Sequence, residues 1–86
     1  MQKYQKVYLD FFGYDESDSI PSEISGNPAN DIHHIKCKGM GGSKTKDNIE
    51  NLIALTRKEH EMYGDKKQYL DFLTETHLNF IKTHKR

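Results

Sequence analysis

With 86 residues, 34% of them apolar and 30% charged, the chain has room for one polar-shelled globular domain with a thin core. No apolar run reaches bilayer length and nothing resembles a secretory leader, so the sequence predicts a cytoplasmic protein with no membrane role. Cys37 is the single cysteine, which excludes an intrachain disulfide, and a formal net charge of zero excludes a uniformly basic surface.

Charge is unevenly spread all the same. Residues 1–30 carry −3, residues 31–60 carry +2 and residues 61–86 carry +1. In chain order, Tyr4, Val7, Tyr8, Phe11 and Phe12 fall at helical spacing over Gln2 to Phe12, and Gly13 supplies a stop. These aromatics fit a core or dimer contact better than base stacking. Residues 13–30 are rich in Gly, Pro, Ser, Asn and Asp and read as loop. Residues 31–35 form a short β-type run, and residues 39–43, with three glycines, read as irregular. Leu52-Ile53-Ala54-Leu55 is the candidate partner strand.

Thr56 with Glu59 makes a capping box that opens a short helix from Arg57 to about Tyr63, closed by Gly64. Asp65 with Gln68 repeats the pattern and predicts a longer helix to about Thr83, with Tyr69, Leu70, Leu73, His77, Phe80 and Ile81 as its buried stripe. His77 and His84 read as core-edge and solvent residues. The expected fold class is α+β, one domain over residues 1–86, with a small ββα core between an N-terminal helix and a longer C-terminal one.

The chemistry-bearing residues cluster in one stretch: His33-His34, Asn51 and His60. Neutral imidazole is a common ligand of borderline divalent metals, and a strand with a helix packed across it can bring His33 and His60 to one ion. Strict strand alternation sends His33 and His34 to opposite faces, so joint action on one phosphate requires the strand to end or bulge there. Taken alone, each has a simpler reading: histidines of a β-ribbon, an asparagine that turns the chain, a surface histidine on a helix.

Together these residues resemble the HNH endonucleases. The resemblance lies in Asp31-Ile32-His33-His34-Ile35, Gly41-Gly42-Ser43, and Asn51-Leu52-Ile53-Ala54-Leu55 with His60 nine residues after Asn51. It covers residues 31–64, about two fifths of the chain, and implies the ββα-metal fold of phage and mobile-element nucleases, with the host cytoplasm as the expected setting. Position by position, His33 and His60 resemble the metal ligands, His34 the general base and Asn51 the residue that holds the base. Asp31 resembles the acidic position that either orients a metal-bound histidine or serves as a third ligand. The implied reaction is hydrolysis of phosphodiester bonds in DNA, with RNA not excluded, by His34 and one divalent ion. Lys36, Lys38, Lys44, Lys46 and Arg57 are the candidate phosphate contacts, although taken alone the lysines read more simply as a solvated loop, and a solvated first turn accounts for Arg57 equally well.

Two departures bear on cofactors. The position one helical turn after His60, where many family members carry another histidine, is Gly64. A site with two imidazoles and open positions favours Mg²⁺ or Mn²⁺, with Zn²⁺ and Ni²⁺ still open. The Cys-x-x-Cys pairs of a structural zinc knuckle are replaced by Ser22-Glu23-Ile24-Ser25 and Thr56-Arg57-Lys58-Glu59, so no structural zinc is expected. The alternative function is an HNH-type module that binds nucleic acid or a protein without cutting, and a homodimer through the apolar faces of the terminal helices is compatible with this size.

Overall fold

The computed structural model describes residues 2–36 and 48–84. Helix α1 spans Lys3–Phe12 and is closed by Gly13, whose φ of 75° is the left-handed conformation glycine takes without a Cβ penalty. Strand β1 (Asp31–His34) pairs antiparallel with β2 (Leu52–Leu55), matching Asp31 with Leu55 and His34 with Leu52. A 3-10 turn over Ile49–Asn51 leads into β2. Helix α2 spans Arg57–Tyr63 and begins with the capping box expected of Thr56 and Glu59.

The sequence expectation fails at the start of the last helix. Asp65 does not take the N-cap position: its φ is +58°, a left-handed turn and not the extended conformation of an N-cap, and Lys66 stands there instead. A 3-10 turn over Lys67–Tyr69 follows, and α3 runs from Leu70 to His84. Leu73 and His77 are its buried positions, with Leu70, Phe80 and Ile81 partly buried beside them.

The two-stranded ribbon is small, and β2 is buried at all four positions because helices cover both of its faces. Leu52 and Ala54 pack with Tyr8 and Phe12 of α1 on one side. Ile53 and Leu55 pack with Ile35 and Leu73 on the other. Strand alternation carries this division into β1: Ile32 and His34 share the α1 face, whereas Asp31 and His33 share the α2 face. Among the described residues no helix is long and apolar enough to cross a membrane.

A buried polar network ties the long elements together. The Tyr8 hydroxyl donates to Glu23 at 2.5 Å, and the same carboxylate meets His77 Nδ1 at 2.8 Å. His77 Nε2 hydrogen-bonds the Ile49 carbonyl. Burial, with the Glu23 carboxylate close by, pushes the Tyr8 hydroxyl far up from its ordinary range. His77, expected at the edge of the core, lies fully inside it.

Candidate metal centre

His33 stands on β1 and His60 on α2, 27 residues apart in sequence, with ring centroids 4.6 Å apart. Ligand atoms of His33, His60 and Asp65 all lie within 4.8 Å of one another. Donors sharing an ion through bonds of about 2.1 Å stand roughly 3–4 Å apart, so an adjustment on the order of 1 Å closes the set. Among the described residues, Nε2 of His33 is buried without a hydrogen-bond partner. An unsatisfied buried nitrogen is costly, and a metal ion is one of the few things that would satisfy it here. Burial first, and the neighbouring His60 second, hold the His33 imidazole below its usual pKa, which keeps it neutral and able to donate a lone pair.

Asp31 lies against the ring of His60 and the guanidinium of Arg57. Its Oδ2 lies 3.0 Å from His60 Nδ1, and the Arg57 guanidinium donates to both of its oxygens at 3.0 and 3.3 Å. Burial alone would raise the Asp31 carboxyl, but hydrogen bonds from Arg57 and His60 outweigh it and hold the group below the usual carboxylate range. An anionic carboxylate can only accept, so Nδ1 of His60 carries the proton and the lone pair of the neutral ring sits on Nε2. This is the outer arrangement typical of metal-bound histidines. Asn30 adds a second tie between β1 and α2, its Oδ1 accepting from the Arg57 backbone amide.

Gly64 and Asp65 together explain how an acid reaches the pair. A Cβ on Gly64 would sit 2.5 Å from both the ring and the carbonyl oxygen of His60 and 3.3 Å from the His33 ring. No side chain fits at position 64 while His60 holds this pose. The carboxylate comes instead from the next residue, in a left-handed conformation that aspartate adopts more readily than most residues. Asp65 reads from the sequence as a helix cap; its spacing from His60 matches no helical period, so pattern alone gives no signal of a ligand. Asp31, Arg57, His60, Glu61, Gly64 and Asp65 line an open cleft of about 450 Å³.

His34, the expected base, is the last residue of β1 and packs against Tyr4 of α1, with ring centroids 4.5 Å apart. The register is regular, so His33 and His34 face different helices, and the strand ends without a bulge. Asn51 is buried and grips the backbone two residues beyond His34: its Oδ1 accepts from the Lys36 amide at 2.9 Å and its Nδ2 donates to the Lys36 carbonyl at 2.8 Å. Lys36 is exposed at this strand exit; Lys38, Lys44, Lys46, Cys37 and the glycine loop lie outside the described residues. Arg57, expected as a phosphate contact, is exposed but already engages Asp31.

Ser22, Ser25 and Thr56 converge on the Glu59 carboxylate. Ser22 Oγ donates to Glu59 Oε1 at 2.5 Å, and the Thr56 amide donates to the same oxygen at 2.9 Å. Ser22 Oγ in turn accepts from the amides of Ile24 and Ser25. Burial acts to raise the Glu59 carboxyl, but hydrogen bonds from Ser22, Ser25 and Thr56 prevail and hold it below its ordinary value. A hydrogen-bonded carboxylate thus joins the 22–25 turn to the start of α2.

Comparisons of this chain with protein-family models, curated proteins and solved structures give no match.

Proposed function

We propose that this chain is a metal-dependent endonuclease of HNH type that hydrolyses phosphodiester bonds in DNA. The observation that carries the reading is the meeting of His33 and His60, named as ligands by motif spacing, with a carboxylate and with a buried imidazole nitrogen that lacks a partner. Two imidazoles and one carboxylate fit a borderline divalent ion better than Mg²⁺, which prefers oxygen donors. Mn²⁺ is therefore favoured over Mg²⁺, with Zn²⁺ and Ni²⁺ as alternatives. When bound, such an ion polarises a phosphoryl oxygen and stabilises the charge that develops on the leaving group.

The chain's own residues supply the rest. Asp31 holds the His60 ring through Nδ1, which leaves Nε2 as its lone-pair donor, and Arg57 holds Asp31. His34 would accept a proton from water at the end of β1. Asn51 fixes the Lys36 backbone and with it the path of the chain leaving His34.

One observation favours a second reading, a module of the same fold that binds DNA without cutting it. His34 packs on Tyr4, across the ribbon from the face that carries His33. Supercoiled plasmid separates the two. The nuclease reading expects nicked or linear product with Mn²⁺ or Mg²⁺, loss of cleavage in EDTA, and a fall of about 10²–10⁴-fold for His34→Ala at saturating metal. Intact plasmid with a gel shift would favour the binding module.

A further inference from the structure

The wall of the cleft is acidic. Among the described residues, Asp31, Glu61 and Asp65 place three carboxylates around His60, and the one guanidinium in the lining, that of Arg57, is committed to Asp31. With His60 counted as uncharged, the described lining residues carry a formal charge of −2. Lys66 is close in sequence, but its ammonium donates to the Glu61 carbonyl and is not part of the lining. A phosphodiester approaching this wall is repelled by it, and a local field of this kind sets both the affinity and the rate of approach of a charged ligand.

We infer that DNA engages this cleft only after a divalent cation has bound, so that the ion gates substrate binding. The inference rests on the nuclease reading of the same cleft. The unpartnered Nε2 of His33 and the nearby ring of His60 supply neutral donors for the cation, and the carboxylates supply the attraction. A bound divalent ion brings the lining to neutrality and offers open coordination positions to a phosphate oxygen. Two unit charges about 6 Å from a phosphate, at effective dielectric constants between those of water and a protein surface, change affinity by on the order of tenfold or more.

The test uses His34→Ala to prevent turnover, a short fluorescein-labelled DNA duplex at low salt, and anisotropy with EDTA or with Mn²⁺. Mn²⁺ is expected to tighten binding by on the order of tenfold or more. Adding Glu61→Gln is expected to raise metal-free affinity and shrink the gain from Mn²⁺. Adding His60→Ala or Asp65→Asn is expected to reduce the gain, with far-UV circular dichroism checking the fold. Equal affinity in EDTA and Mn²⁺, while calorimetry shows Mn²⁺ bound, would overturn the gating and leave the nuclease reading standing. An undiminished gain in folded His60→Ala would also overturn it, since the ion would then be acting on the DNA. Absence of Mn²⁺ binding altogether would remove the metal centre and the gating together.

Discussion

Nδ1 of His60 and Oδ2 of Asp31 stand 3.0 Å apart, so the first residue of β1 sets the tautomer of a ring on α2. The same carboxylate holds Arg57, which makes Asp31 a junction between the strand and the helix. Asp31→Asn is expected to leave the fold intact and to weaken Mn²⁺ binding by roughly 10–100-fold, the usual cost of losing the partner of a metal-bound histidine. Competition with a chromophoric chelator measures this. Unchanged affinity would mean that His60 is oriented without Asp31.

Gly64 and Asp65 separate stability from ligation. Gly64→Ala drives a Cβ into the His60 ring and carbonyl, and is expected to cost about 1–3 kcal/mol and to impair metal binding. Asp65→Asn keeps a residue that tolerates positive φ, so its Tm should stay near that of the parent while Mn²⁺ affinity falls. Thermal melts with and without Mn²⁺ read both effects. Equal stabilisation of the parent and Asp65→Asn by Mn²⁺ would exclude Asp65 from the ligand set.

Glu59 predicts an acid-sensitive joint. Its folded pKa lies below its ordinary value of 4.5, so its contribution to stability is present above that pH and is lost as pH falls through the folded value. Glu59→Gln should therefore be less stable than the parent near neutral pH and should lose part of the acid dependence. Ser22→Ala should act in the same direction, costing about 1–3 kcal/mol because the buried carboxylate loses a donor. Urea unfolding at several pH values provides the comparison, and parallel pH curves for all three proteins would contradict it.

Much of the architecture is legible in the sequence because it rests on local chemistry. The Thr56–Glu59 box, the Gly13 stop and the apolar tetrad Leu52-Ile53-Ala54-Leu55 each declare themselves within a few residues. The pairing of His33 with His60 is legible only through motif spacing, since no local rule joins residues 27 apart. Asp65 is not legible: the pattern with Gln68 imitates a helix cap, and only the backbone turn at positive φ shows where its carboxylate goes. His77 is likewise hidden, because helical periodicity marks it as buried but says nothing of Glu23, 54 residues earlier, or of the Ile49 carbonyl.

That buried network carries its own expectation. His77→Ala leaves the Ile49 carbonyl without its side-chain partner and the Glu23 carboxylate with the Tyr8 hydroxyl alone, and should cost about 3–5 kcal/mol. The 3-10 turn that positions Asn51 begins at Ile49, so amide exchange at Asn51 should accelerate as well. Global destabilisation with no change in local protection at Asn51 would show that His77 supports the core alone.

The metal centre is the central claim, and paramagnetic broadening tests it at the residues concerned. Mn²⁺ titrated into ¹⁵N-labelled protein should bind one ion per chain, broadening first the imidazole signals of His33 and His60 and the backbone signals of Gly64 and Asp65. The effect should disappear in His33→Ala and reverse with EDTA. Saturating Mn²⁺ that left these signals sharp, or that broadened signals elsewhere first, would contradict the account.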